Sequence, residues 1–563
     1  MPESREPGRQ QSAQPSSPIP SADRRLWAVR GRAVIPLNWA PLRGHSSGIA
    51  QVELDNARVR VIEDGVVVIE GGKIIQAGNY ADVVAAARDR GYDQDRTSGG
   101  LDLTSSGDLD PTSSDGPSSS TPPHSDTRSD QLLQAVLDAR TWNGLILPGL
   151  VDIHCHGGGG QSFPDAKTTS QAMTAIKEHR QFGTTTLVAS LVTDTAETLL
   201  RQTKLLTELC TEGELDGIHL EGPFLSVHRA GAQDPAKMLT PNPGLVYRVA
   251  KAAKGWFTAM TLAPELAGVV SPLSPVGATS QASDKDDADP QDSRTGAGNV
   301  VDGIGQTCFL DDLDTAVQAN LEHDFGIAVE RGETASVIAA LVAHGVVPSF
   351  GHTDCSASQM AKAVGFTNFL FELAEGAGAR SATATHLFNG MRPIHHRDPG
   401  PAMEALAQAA AGEMVAELIA DGVHIAADMV RDVFQTAGAD NVALVTDAMA
   451  AAGMADGQYQ LGPMAVTVAD GAARLTGQDS LAGGTAHLIE TVRFAWRDCG
   501  VPLSQAVTAA SLTPARVLGR VQTIGALAPG RDADLLLVDN DLNPVEVYRK
   551  GLRLQTTPDG PTV

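Results

Sequence analysis

Apolar and polar positions along the chain fall into three successive patterns. From Trp27 to Asn79 there are short apolar runs separated by turn residues: Val29–Ile35, Ala57–Ile62 and Gly65–Gly78. The last is interrupted by Glu70-Gly-Gly-Lys73, which predicts a hairpin. From Leu145 onward, strand-like runs alternate with Ala-rich amphipathic stretches. The strands are expected over 145–153, 184–190, 216–220, 257–262, 346–350, 382–385, 415–420 and 442–446, and helices over 167–182, 194–211, 333–344, 355–373 and 427–437. Eight strands alternating with helices predict a (β/α)8 barrel. Helical patterns over 484–498 and 502–511 follow, and then the β-rich character returns in Ile524–Asp539. There the Pro529-Gly530 turn and the run Leu535–Val538 read as one more hairpin. The expected fold class is therefore α/β: a TIM-like barrel with a small β-sandwich domain built from both chain ends.

Composition sets the boundaries. Residues 1–25 are polar and rich in Pro, Ser and Arg, a disordered tail without the apolar core of a signal peptide. Two low-complexity insertions, 93–130 and 268–304, are dominated by Ser, Asp, Gly, Thr and Pro. The domains are then 26–144 and 513–563 for the small β part and 145–512 for the barrel. A net charge of −25 argues against nucleic acid as a partner, although a small anion needs only a local cationic pocket. No apolar run reaches membrane-spanning length. The five cysteines (155, 210, 308, 355, 499) are scattered, with no CxxC spacing, so a reducing cytoplasm is expected.

In such barrels the chemistry sits where strands end and loops begin. His154 and His156 share one face of the first strand, with Cys155 on the other. The later strand ends carry Glu221, Glu265, His352, His386, the Asp421–His424 pair and Asp447. One buried histidine is ordinarily a hydrogen-bonded core residue. Burying this whole set without function would be costly. Histidines with carboxylates and no thiolate cluster suit a divalent ion such as Zn, Fe or Mn. Cys155 and Cys355 read as packing residues.

These residues stand in motifs that resemble the amidohydrolase superfamily of metal-dependent hydrolases, and within it the N-acetylglucosamine-6-phosphate deacetylase family. The motifs are His219-Leu-Glu-Gly-Pro-Phe224, Gly351-His-Thr-Asp354, Thr385-His-Leu-Phe-Asn-Gly-Met391, Ala420-Asp-Gly-Val-His424, Thr446-Asp-Ala448 and Leu481-Ala-Gly-Gly484. The resemblance implies that Glu221, His352 and His386 hold a metal. It also implies that His154 and His156 can build a second site bridged by Glu221, giving one or two ions per subunit. Asp447 would be the general acid/base and His424 a substrate contact. Asn389, Gly390 and Arg397 would face a phosphate, Arg397 by reaching into a neighbouring subunit of a homodimer. The implied substrate is a small phosphorylated amino sugar. Gln233 departs from the pattern, because many relatives carry a histidine there; an amide can bond the substrate but carries no charge. His228 lies nearby, out of register, and reads as exposed.

Three other readings remain open on the residues alone. A cyclic amidase would share the barrel but calls for a lysine at the end of strand four, where Thr261-Leu-Ala-Pro-Glu265 stands and Lys254 precedes the strand. A base deaminase would leave Arg397 and Asn389-Gly390 without an anion to bind. A non-catalytic barrel would purify without stoichiometric metal.

Overall fold

A computed structural model describes residues 26–37, 61–97, 127–271, 336–376 and 380–554. The expected tail, most of both insertions and residues 57–60 of one expected strand lie outside the described residues. The chain divides into two compact units. The first holds described residues up to 37, 61–149 and 522–554; the second holds 150–521. The sequence reading placed residues 145–149 and 513–521 on the other side of these boundaries.

In the first unit seven strands form one sheet. In spatial order they are Leu552–Arg553, Pro544–Arg549, Leu535–Val538, Arg140–Pro148, Leu26–Val34, Ile62–Glu70 and Lys73–Asn79. Both chain ends contribute, and Glu70 pairs with Lys73 across the expected hairpin. The expected sandwich is instead this single sheet. Helices Tyr80–Thr97 and Thr127–Leu137, which the composition had hidden, supply a layer of their own. Val66 and Val68 of one strand pack with Val83, Val84 and Val136 of these helices. Val67 and Ile69, pointing the opposite way, pack with Ile146, Leu535, Leu537 and Tyr548. Successive side chains alternate across a strand, so a run of four apolar residues is satisfied only when both faces are covered. Leu535–Val538 pairs with Pro544–Arg549 after it and Arg140–Pro148 before it, so Pro529-Gly530 is a turn but not the turn of that hairpin.

The second unit is the barrel. Its eight parallel strands follow chain order: Leu150–Cys155, Thr184–Leu191, Gly217–Glu221, Phe257–Leu262, Val347–Phe350, Ala382–Ala384, Met414–Leu418 and Val442–Leu444. The apolar run expected as one first strand is two. Gly149 separates Arg140–Pro148, in the first unit's sheet, from Leu150–Cys155, in the barrel. The intervening helices start where side chains take up their free N–H groups: Thr168, Thr195, Asn242, Ser336 and Ser356 each accept at an N-cap.

After the eighth strand the helices expected over 484–498 and 502–511 are found as Leu488–Arg497 and Leu503–Ala509. Before them stands an unexpected antiparallel sheet of Gly457–Leu461, Met464–Ala469 and Ala472–Leu475. Val466, Val468, Ala473 and Leu475 pack against Met449, Ala450 and Ala482. Its signal was the dipeptide Asp470-Gly471 between alternating runs. Both residues have positive φ (51° and 72°), as a two-residue hairpin turn requires.

Candidate metal centre and active site

The first and last barrel strands meet at a seam of irregular contacts. Asp447 N donates to His154 O (2.9 Å) and His156 N to Ala448 O (2.7 Å). Thr446 Oγ1 donates to the buried Asp152 carboxylate (2.6 Å). This seam sets His154, His156 and Asp447 side by side, and the ends of strands three, five and six bring Glu221, His352 and His386 to the same place.

Two groups of ligand atoms result, sharing Glu221. In one, His156 Nε2 lies 3.1 Å from Glu221 Oε2 and 3.2 Å from Asp447 Oδ1, with His154 Nε2 3.3 Å from Asp447 Oδ1. In the other, His352 Nε2 and His386 Nε2 are each 2.9 Å from Glu221 Oε1. All are buried or nearly so.

The outward ring nitrogens decide what the inward ones can do. His154 Nδ1 donates to Glu417 Oε2 (3.2 Å), His156 Nδ1 to Ser190 O (3.2 Å) and His352 Nδ1 to Arg229 O (2.8 Å). An acceptor at Nδ1 holds the proton there and turns the Nε2 lone pair inward, the arrangement of metal-ligating histidines. His386 Nδ1 is buried with no partner among the described residues. The donor set therefore fits a divalent cation at either group, with Glu221 common to both.

The charge balance agrees. Burial would lower the proton affinities of the imidazoles, yet hydrogen bonds donated to Asp447 and Glu221 hold the His156 pKa at about 10, and one donated to Glu221 holds that of His386 at about 9. Burial would raise Asp447, but His154 and His156 beside it bring it down to about 2. Glu221, likewise opposed by burial, is driven well below the usual carboxylate range by His352, His156 and His386. The carboxylates pull positive charge into the centre, which a bound cation supplies by displacing the histidine protons.

A cavity of about 340 Å³ opens over the centre. Its wall includes Asn389, Gly390 and His424 from the expected set, together with Arg474 and Leu481 from the sheet after strand eight and its continuation. Asp421 takes His424 Nδ1 (2.7 Å) and the His424 backbone N–H (2.8 Å), which leaves Nε2 as the free ring nitrogen. Burial raises the Asp421 carboxyl, and the His424 bond outweighs this to hold it low.

Gln233 and Arg397 are placed differently from each other. Gln233 reaches the cavity wall, but both ends of its amide are taken: Thr193 N donates to its Oε1 (2.8 Å) and its Nε2 donates to Glu221 Oε2 (2.5 Å). It holds a ligand rather than presenting a free amide. Arg397 is exposed, with Nη1 2.9 Å from His396 Nε2, and is not among the residues lining the cavity of its own chain. Glu265 bonds Thr353 and the Asp354 backbone, bracing the loop after strand five. His228 is exposed, and Cys155 is buried beside His179 (3.3 Å), on the far side from the centre.

Sequence reasoning missed Glu417, Ser190 and Thr193, which orient ligands from within strands or behind them. Glu417 carried a signal, a lone carboxylate inside the apolar run Met414–Leu418. His219 is also buried, bonded to Ser190 Oγ (2.9 Å) and Thr261 Oγ1 (2.8 Å); burial drives its imidazolium affinity well below the ordinary value. No lysine stands in strand four or at its end, so the bridging residue of a cyclic amidase is missing there.

Comparisons with known proteins agree with this geometry. Residues 367–554 match the amidohydrolase family model. The crystal structure of N-acetyl-D-glucosamine-6-phosphate deacetylase from Mycobacterium smegmatis is 30% identical, with a TM-score of 0.62, and the match covers 94% of this chain and all of that one. The Bacillus subtilis N-acetylglucosamine-6-phosphate deacetylase is 28% identical over 424 residues, 73% of this chain and 84% of that protein. The N-acetylgalactosamine-6-phosphate deacetylase of a Shewanella strain is 26% identical over 420 residues, 73% of this chain and 84% of that protein. The chain belongs to the N-acetylglucosamine-6-phosphate deacetylase family of the amidohydrolases.

Proposed function

We infer that the chain is an amidohydrolase that removes the acetyl group from N-acetylglucosamine 6-phosphate, giving glucosamine 6-phosphate and acetate. The observation that carries this is the placement of an ionised Asp447 against the shared metal-ligand set at the floor of a sugar-sized cavity. A divalent cation held there would supply Lewis-acid chemistry, acidifying a water and polarising the acetyl carbonyl. Glu221, His352 and His386 would hold one such ion; His154 and His156, with Glu221 between, would hold a second.

Asp447 does the proton work. Its carboxylate is charged at neutral pH, so it can accept a proton from the attacking water. As the water oxygen bonds the acetyl carbon, Asp447 holds the released proton and then gives it to the sugar nitrogen as the C–N bond breaks, so a neutral amine leaves and the acetic acid formed ionises to acetate. His424, anchored by Asp421, presents Nε2 to the substrate carbonyl or a sugar hydroxyl. Asn389 and Gly390 would lie along the phosphate. Gln233 keeps Glu221 in register.

Arg397, exposed and turned from its own cavity, suits a role in the site of a second copy, and we expect a homodimer. The four described cysteines are free, which suits a cytoplasmic enzyme.

Asp447→Asn is the direct test. It should keep the fold and metal at Glu221, His352 and His386 while losing on the order of 10²–10⁴ in kcat. Turnover near that of the wild type would remove Asp447 from this role.

A further inference from the structure

A phosphate in the cavity calls for a cation, and the arginine expected to face it, Arg397, was expected from a neighbouring subunit. Within this chain Gln233 is neutral and held by Thr193 and Glu221, and Arg397 does not line the cavity. Arginines of neighbouring loops are paired: Arg229 with Asp354 (2.8 Å) and Arg392 with Asp398 (2.7 Å). Among the described residues that line the cavity, Arg474 is the single lysine or arginine.

Its placement follows from the sheet that the sequence reading overlooked. Arg474 lies in the strand Ala472–Leu475 and forms a β-bridge with Leu481 of the Leu481-Ala-Gly-Gly484 motif. Partners across an antiparallel bridge point to the same side. Ala473 and Leu475 point the other way, into the apolar cluster with Met449 and Ala482. Packing of that cluster therefore fixes which way Arg474 faces. The next residues of the motif run beside the acid/base: Gly484 N donates to Asp447 O (2.7 Å).

The guanidinium is anchored without being neutralised. Nη1 donates to the backbone carbonyl of Asp479 (2.6 Å), and Arg474 has no carboxylate within ion-pair distance among the described residues. Asp479 also lines the cavity, as do the metal-facing carboxylates Glu221 and Asp447. A carbonyl anchor leaves the remaining N–H groups of the fork for an anion, and a guanidinium matches phosphate oxygens in pairs.

We propose that Arg474 is a specificity-determining contact that binds the phosphate of the sugar from within the same chain. The proposal rests on the deacetylase reading of the site and adds to it a residue of the sheet after strand eight. It explains how a site with an amide at position 233 still selects a charged substrate.

The test compares the full-length wild type with Arg474→Ala and Arg474→Lys. Two quantities are read: binding of glucosamine 6-phosphate relative to glucosamine, and the kcat/KM for N-acetylglucosamine 6-phosphate divided by that for N-acetylglucosamine. Arg474→Ala should lower both ratios roughly 10- to 100-fold with metal content unchanged, the loss expected for one charge-assisted contact. Arg474→Lys should recover part of it. A proportionate fall for both sugars would make the residue merely structural, and unchanged ratios would overturn the proposal. A wild type that releases no acetate, but binds glucosamine 6-phosphate through Arg474, would overturn the deacetylase reading and leave the phosphate contact standing.

Discussion

Asp447, His352 and His386 all sit in the left-handed backbone region, with φ of 46°, 47° and 27°. Such conformations cost about 1–3 kcal/mol each in a non-glycine residue and persist where the surroundings fix them. Here the surroundings are the seam bonds of Asp447, the Arg229 carbonyl at His352 Nδ1, and Glu221 facing both histidines. Gln233 belongs to this support. Gln233→Ala would remove the amide that bonds Glu221 Oε2 and Thr193 N, so metal affinity should fall about 10- to 100-fold. Metal titration of the purified protein checks this, and an unchanged affinity would mean the amide is dispensable. At this scale the sequence showed which residues could be ligands, because ionisable groups at the ends of apolar strands are conspicuous. It did not show how Gln233 and Arg397 are used. The donors and acceptors that claim their side chains lie far away in sequence.

Elements were legible where their period was long and clean. Seven of the eight barrel strands, and the five helices expected between strands, stand within a few residues of expectation. The run Leu145–Val151 misled because one apolar stretch serves two sheets, and only Gly149 marks the break. The helix Leu488–Arg497 was legible too, but its start was not. His487 caps it, accepted by Glu178 (2.9 Å) and Glu490 (3.0 Å) and stacked on Phe182 at 3.6 Å between ring centroids, with His179 edge-on at 5.6 Å. Burial would lower its pKa, but the two carboxylates outweigh burial and raise it above the ordinary 6.5. A histidine raised in the folded state gives stability that is fully present below its unfolded pKa and is lost as pH rises through the folded one. The Tm difference between wild type and His487→Gln should therefore be largest near about pH 6 and shrink toward about pH 9. A difference independent of pH would show that the stacking on Phe182, not the charge, is what the residue contributes.

Over the whole molecule, the sequence placed both chain ends in one small unit and the hydrolytic residues in a barrel. It hid the helices Tyr80–Thr97 and Thr127–Leu137, because they adjoin low-complexity sequence that reads as unstructured. No described helix is long and apolar enough to cross a membrane. Assembly is the remaining large-scale claim. If Arg397 serves a neighbouring site, mixing inactive Arg397→Ala and Asp447→Asn proteins should restore activity. Hybrid dimers then contain one site with both residues intact. Failure to recover activity after subunit exchange would confine each site to its own chain.

If the seam of the barrel builds a metal-dependent amide hydrolase for a phosphorylated amino sugar, acetate release should be rapid from N-acetylglucosamine 6-phosphate and far slower from the unphosphorylated sugar. Both should be lost on chelation and recovered when a divalent ion is restored. Equal rates for the two sugars, or release that survives complete removal of metal, would contradict this assignment.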